Sequence, residues 1–205
     1  MNKTKVDWAQ FSWNPVVGCR NNCPYCYARR MVNRFHRDFQ PHWVEKNFNR
    51  AMPRKPSRIF VDSMSDVAFW KAEWWQRVMG RIAENLQHTF IFLTKSPVIY
   101  HMMLFPDNCW LGVTATTKKE IEHYQDTLVG NIRFVSIEPI LEQINPEIFC
   151  GHYLSWVILG AETGNRRGKV IPPREWIEPF LSLPIPLFMK SNLPWSGPWR
   201  KEFPE

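Results

Sequence analysis

The chain has 205 residues, 44% of them hydrophobic and 22% charged, enough for one core-forming domain and too few for two comfortable ones. Met1-Asn-Lys-Thr-Lys-Val-Asp-Trp lacks the apolar stretch of a secretory signal, no run is long enough to cross a bilayer, and an odd five cysteines exclude a disulfide scaffold, so a cytoplasmic protein without a membrane partner is expected. The net charge of +7 is unevenly spread: residues 1–58 hold twelve Lys and Arg against three Asp and Glu, whereas residues 59–205 are slightly acidic.

The first apolar run, Trp13 to Val17, reads as a strand and leads into a loop at residues 18–27 with the sequence Cys19-Arg-Asn-Asn-Cys23-Pro-Tyr-Cys26. Three soft thiolates in C-x3-C-x2-C spacing, with an aromatic residue before the last, form an unfinished ligand set. A cubane iron–sulfur cluster takes one thiolate per iron, so three cysteines leave one iron open to an exogenous ligand. The alternative is a structural zinc site, normally closed by four ligands; His36 and His42 are the nearest candidates, and neither falls at finger or ribbon spacing. The surrounding basic, tryptophan-rich segment suits a nucleic acid partner, and the same arginines would equally offset the negative charge of three thiolates.

A helix is expected next, with Tyr27, Met31 and Phe35 as a core-facing stripe and Arg30, Arg34 and Arg37 along another side. A strand at Arg58 to Val61 precedes Asp62-Ser63-Met64-Ser65-Asp66. Trp75, Met79, Ile82 and Leu86 then mark one face of a helix starting near Lys71. Further strand-like runs follow at Thr89 to Leu93, Trp110 to Thr114, Ile132 to Ile137, Leu154 to Leu159 and Pro186 to Met189, with Ile121, Tyr124 and Leu128 marking a helix between two of them. Most runs are nearly continuous in apolar residues, as in strands buried on both faces of a parallel sheet.

This alternation without a glycine-rich dinucleotide fingerprint predicts an α/β fold: a single domain over 1–205, built as a partial (β/α) barrel of six or seven units with parallel strands. The polar residues then fall on one rim, after the strands, where such barrels carry their chemistry. A Pro- and Trp-rich tail at 193–205, with Trp195 and Trp199, reads as a covering segment. Cys109 and Cys150 are isolated and read as ordinary buried residues, which argues against a second cluster.

The loop Cys19-x3-Cys23-x-Tyr25-Cys26 resembles the signature of the radical S-adenosylmethionine superfamily. Trp13-Asn14-Pro15-Val16-Val17-Gly18-Cys19, Ser63-Met64-Ser65-Asp66, Leu93-Thr94-Lys95, Leu111-Gly112-Val113-Thr114, Ser136-Ile137-Glu138-Pro139 and Leu159-Gly160-Ala161-Glu162-Thr163-Gly164 look like a phage-associated three-Cys-motif branch, distantly similar to spore photoproduct lyase. The resemblance runs from about Trp13 to Lys190.

It implies a 4Fe-4S cluster held by Cys19, Cys23 and Cys26, whose open iron binds the amino and carboxylate groups of S-adenosyl-L-methionine. Reductive cleavage of that cofactor yields a 5′-deoxyadenosyl radical, which removes a hydrogen atom from substrate. The implied cofactor contacts are Tyr25 of the signature; Ser63, Ser65 and Asp66, where the superfamily often has Gly-Gly-Glu, with Asp66 toward the methionyl amino group; Lys95 toward the carboxylate; Thr114, Ser136 and Glu138 toward the ribose or amino end; and Gly160 beside adenine. An electron donor such as flavodoxin or ferredoxin is implied as a partner. The expected substrate is large, with nucleic acid favoured by the basic N-terminal segment. A peptide, protein or small-metabolite substrate is the alternative within the same enzyme class, and a non-catalytic metal-stabilised binding module is the alternative outside it.

Overall fold

The computed structural model describes residues 1–124, 129–149 and 154–205. Its centre is an eight-stranded sheet, curled into a half-barrel, made of β1 (Asn2–Lys3), β2 (Phe11–Ser12), β5 (Arg58–Phe60), β6 (Thr89–Thr94), β7 (Cys109–Ala115), β8 (Ile132–Ile137), β9 (Trp156–Leu159) and β10 (Leu187–Met189), in that spatial order. Only β1 runs antiparallel to its neighbour; from β2 to β10 every pairing is parallel. The seven parallel strands match the expected α/β partial barrel.

The continuous apolar runs exist because both faces of each strand are covered. Along β6, Phe90 and Phe92 pack outward with the helical layer and Ile91 packs inward; along β8, Phe134 points in while Val135 and Ile137 point out. Trp8, Trp156 and Phe188 join Phe134 to fill the inside, and the Trp156 ring lies within 6.2 Å of Trp8, Trp110, Phe134, Phe188 and Phe203. Gly112 on β7 has no room for a side chain: a Cβ there would lie 2.3 Å from the Phe134 ring.

Around the sheet lie α1 (Tyr27–Asn33), α2 (Glu45–Phe48), α3 (Ala72–Ala83), α4 (Ile99–Met102), α5 (Lys118–Tyr124) and α6 (Arg174–Ile177). α3 is the amphipathic helix expected from its periodicity, burying Trp74, Trp75, Val78, Met79 and Ile82. Leu86, assigned to the same stripe, lies beyond the helix end and is exposed. Leu128 and Cys150 fall outside the described residues, and Cys109 is buried as expected.

Two further expectations are corrected. The run Trp13 to Val17 is not a strand of the main sheet: the main-sheet strand is Phe11–Ser12, just before it, and within the run only β3 (Val16–Val17) is a strand, pairing antiparallel with β4 (His42–Trp43) in a separate two-stranded sheet. The stripe of Tyr27, Met31 and Phe35 is not core either. The three are 49%, 47% and 63% exposed, and α1 docks instead through Ala28. A seven-residue helix with one buried side chain is held mainly by polar ties: Tyr27 Oη donates to the Ser63 carbonyl at 2.7 Å and Arg29 to the Cys19 carbonyl at 2.7 Å.

The tail closes the half-barrel at its β10 edge. Met189 N donates to the Arg200 carbonyl at 2.9 Å, and Glu202 accepts from Leu187 N while donating its own N–H back to the Leu187 carbonyl. Trp195 is buried in the outer core and Trp199 is 41% exposed. Across the opening, Asp7 accepts from Ser191 N at 2.8 Å and Ser191 Oγ at 2.5 Å, tying the segment before β2 to the one after β10. Among the described residues no helix is long and apolar enough to cross a membrane.

Candidate active site

Six strand ends converge on one cleft of about 490 Å3, within the roughly 300–1,000 Å3 usual for small-molecule sites. Its wall includes Asp62 and Asp66 after β5, Lys95 after β6, Thr114 near the end of β7, Ser136 and Glu138 at β8, Glu162 after β9 and Lys190 after β10. All lie at carboxyl ends of parallel strands, because a parallel sheet delivers every such end to the same rim.

The cysteine loop is seated on that rim by backbone contacts. Gly18 adopts φ +105°, and a Cβ there would strike the Gln40 carbonyl at 2.2 Å; Gly18 N donates to the Met64 carbonyl and Cys19 N to the Phe39 carbonyl, each at 2.9 Å. Cys19, Cys23 and Cys26 are half-buried and all line the cleft. Cys26 caps α1 by accepting from Arg29 N at 3.4 Å, and Cys19 Sγ accepts from Asn21 N at 3.4 Å. Burial pushes the Cys19 thiol up to about 12, with Asp66 and the other two cysteines adding to the rise, and burial also raises Cys23 against the pull of Lys95. Metal binding here therefore has to displace protons.

Asp66 organises the loop from below. Its Oδ1 accepts from Ala68 N at 3.0 Å and Thr94 Oγ1 at 2.6 Å, while Oδ2 accepts from Asn21 Nδ2 at 2.6 Å and Lys95 N at 3.0 Å. Lys95 itself reaches the Thr114 carbonyl at 3.4 Å and Glu120 at 3.6 Å, and its ammonium lies 5.6 Å from the Tyr25 ring centre. Burial raises the Tyr25 hydroxyl far above its ordinary range, so it stays protonated. Ser63 Oγ donates to Asn14 Oδ1 at 3.0 Å and Ser65 Oγ accepts from Trp70 Nε1 at 3.1 Å. Lys190 is ion-paired with Glu138.

Every sequence-derived site residue lines the cleft except Gly160, which sits behind it: a Cβ there would come within 3.0 Å of Lys190 Cδ and 3.2 Å of Glu138 Cγ. The structure adds Trp8 and Asp62, which the motifs alone did not single out, beside Ser136, which they did. Trp8 Nε1, Asp62 Oδ2 and Ser136 Oγ are buried without a hydrogen-bond partner among the described residues, and all three residues line this cleft. Burial holds the Asp62 carboxyl well above its usual range. Asn192 clamps Ala161, accepting its N–H at 3.2 Å and donating to its carbonyl at 2.5 Å, and Glu162 is held by a bidentate bond from Arg166 at 2.7 and 2.8 Å.

The donor set fits an iron–sulfur cluster and a zwitterionic nucleotide in chemistry: three thiols from one loop, two lysines, several carboxyls and unpaired polar atoms share one cleft. Among the described residues no His, Cys, Asp and Glu side chains are already drawn into a metal-binding group, so the fit rests on donor type and shared cavity. The zinc alternative gains nothing, since neither His36 nor His42 lines the cleft.

The family model described as "Protein of unknown function (DUF5131)" matches residues 3–180. An uncharacterized protein of Methanocaldococcus jannaschii, MJ0683, is 28% identical over 109 residues, which cover 50% of this chain and 42% of that protein. Among solved structures, a spore photoproduct lyase mutant with bound AdoMet and dinucleoside spore photoproduct superposes with a TM-score of 0.55 at 14% identity, covering 78% of this chain and 58% of the other. Spore photoproduct lyase complexed with dinucleoside spore photoproduct gives 0.56 at 13% identity, with the same coverage. The distant likeness expected from the motifs is thus present as a shared half-barrel. The chain spans less than two thirds of the length of these relatives.

Proposed function

The chain belongs to the DUF5131 family, and from that premise we propose that it is a radical S-adenosylmethionine enzyme acting on a large substrate, namely nucleic acid. The observation that carries this reading is the meeting of Cys19, Cys23 and Cys26 with cofactor-type polar groups in one cleft at the strand ends. The half-barrel's likeness to a protein solved with bound AdoMet and a dinucleoside supports it. The substrate class draws on the basic N-terminal segment.

In this reading the three cysteines hold a 4Fe-4S cluster. When bound, the cluster and cofactor together supply a carbon radical that takes a hydrogen atom from substrate. The chain's own groups bind and orient. Lys95 offers positive charge to the methionyl carboxylate; Thr114, Ser136 and Glu138 serve the ribose or amino end; Tyr25 and Ser63 border the cluster loop; Ser65 and Asp66 keep that loop and Lys95 in register. Phe39, Phe60 and Trp8 line the same cleft and exclude water from it. A cytoplasmic location and an electron donor such as flavodoxin or ferredoxin complete the proposal.

The test is anaerobic reconstitution with iron and sulfide, followed by reduction in the presence of S-adenosylmethionine and detection of 5′-deoxyadenosine. Stoichiometric zinc with no iron or sulfide uptake would overturn the reading in favour of a metal-stabilised binding module.

A further inference from the structure

Helix α1 and the turn after it present a surface of unusual composition. Met31 and Phe35 are 47% and 63% exposed, and Arg34 and Arg37 stand beside them, also exposed. Among the described residues neither arginine has an acceptor for its side chain. An apolar and basic face of this kind costs hydration without contributing to the core, so packing does not explain it.

The face does not end at α1. Arg30 donates to the Thr163 carbonyl at 2.9 Å, and its guanidinium lies so close to Gly164 that a Cβ there would come within 2.9 Å of it. This contact places the start of the 163–170 loop against the helix, although the two are 133 residues apart in sequence. The loop carries Arg167, exposed and likewise without an acceptor among the described residues, while its neighbour Arg166 is committed to Glu162 and fixes the loop's shape. Tyr27 from α1 and Thr163 from the loop both line the cleft, so the basic surface runs into its mouth. The local excess of positive charge after residue 162 is hidden in the slightly acidic sum of the C-terminal part of the chain.

We propose that this surface binds a single-stranded stretch of nucleic acid, with Arg34, Arg37 and Arg167 on phosphates and Phe35 stacked on a base. Guanidinium groups matched to phosphate supply charge complementarity, and an exposed ring among them is the arrangement by which unpaired strands are held. A duplex keeps its bases stacked on one another and offers Phe35 no partner. The inference rests on the nucleic acid part of the proposed function and gives it a location and a strand state.

The test uses the full chain after anaerobic reconstitution and a labelled, mixed-sequence single-stranded oligonucleotide, read by fluorescence anisotropy between about 50 and 200 mM salt. Arg34→Glu, Arg37→Glu and Arg167→Glu combined should weaken binding at least about tenfold and flatten the log–log salt slope by about 2, at roughly 0.7 per lost phosphate contact. Phe35→Ala should weaken binding about tenfold with the slope unchanged, because stacking releases no counterions. Lys119→Glu on α5, the same charge change elsewhere, should resemble the parent. Parent-like binding by both surface variants overturns the inference alone; equal affinity for duplex overturns the strand state. No association of the parent at low salt overturns the inference together with the nucleic acid substrate. S-adenosylmethionine affinity, measured on the same preparations by equilibrium dialysis, reports separately on the enzyme reading and should be unchanged in every variant.

Discussion

Removing the Asp66 carboxyl should destabilise the fold before it affects any cofactor. Asp66 is 4% exposed and accepts from four donors: Asn21 Nδ2, Ala68 N, Thr94 Oγ1 and Lys95 N. A buried donor left without an acceptor costs about 1–3 kcal/mol. Only the Thr94 bond is fully buried, so the lower end applies to the other three, and Asp66→Ala should cost about 4 kcal/mol, a large share of the roughly 5–15 kcal/mol that holds a domain together. Asp66→Asn keeps one acceptor oxygen but turns an amide NH2 toward two other donors, so about 2 kcal/mol is expected. Anaerobic urea unfolding followed by tryptophan fluorescence reads these losses. With a slope near 2 kcal/mol per molar urea, the midpoint should fall by about 2 M for Asp66→Ala and about 1 M for Asp66→Asn, at constant slope. A loss under about 1 kcal/mol for Asp66→Ala would refute the argument. If that result came with weaker S-adenosylmethionine binding, Asp66 would be a direct partner of the methionyl amino group rather than the clamp beneath Asn21 and Lys95.

Asp62 should give the opposite sign. One of its oxygens accepts from Leu93 N at 3.1 Å and the other has no partner among the described residues, and burial raises its pKa well above the ordinary 3.8. Between those two values the folded state holds the extra proton, so Asp62 erodes stability as pH rises through that window. Asp62→Asn should match the parent near pH 4 and exceed it at neutral pH, the gap widening by at most about 1.4 kcal/mol per pH unit; a gap that shrinks with pH in thermal melts would contradict this. Gly112→Ala drives a methyl into the Phe134 ring and should cost about 1–3 kcal/mol in thermal unfolding, with the additional change Phe134→Leu restoring part of it; additive losses would show that the two sites do not touch. Single replacement of Cys19, Cys23 or Cys26 by Ala should leave the reconstituted protein short of iron and sulfide by chemical analysis, whereas Cys109→Ala should load like the parent. Equal loading of all four variants would remove the loop from the metal site.

The parts of the fold legible in sequence were those where one residue pattern has one physical cause. Thr89 to Leu93 and Ile132 to Ile137 are continuous apolar runs because Ile91 and Phe134 face the barrel interior while their neighbours face the helices. The cysteine loop was legible because its chemistry is local. The Tyr27, Met31 and Phe35 stripe misled because periodicity says which residues share a face and not what that face meets. Trp13 to Val17 misled because a run of apolar residues does not reveal that the chain has already left the main sheet at Ser12 and that Val16–Val17 pairs in another. Pairings such as Glu138 with Lys190, 52 residues apart, or Asn192 with Ala161, 31 apart, join residues whose local sequence carries no mark of the partner. Asp62 stood immediately before the Ser63 to Asp66 motif, yet an oxygen left without a partner among the described residues is a property of packing alone.

The tie from Asp7 to Ser191 bridges 184 residues and works with the Arg58 guanidinium stacked 3.8 Å from the Phe203 ring. During synthesis the closure at the β10 edge must therefore wait until residues 187–203 have left the ribosome. The seam cannot close before that point, and a nascent chain stalled short of it would leave an aromatic trough open to chaperones and proteases.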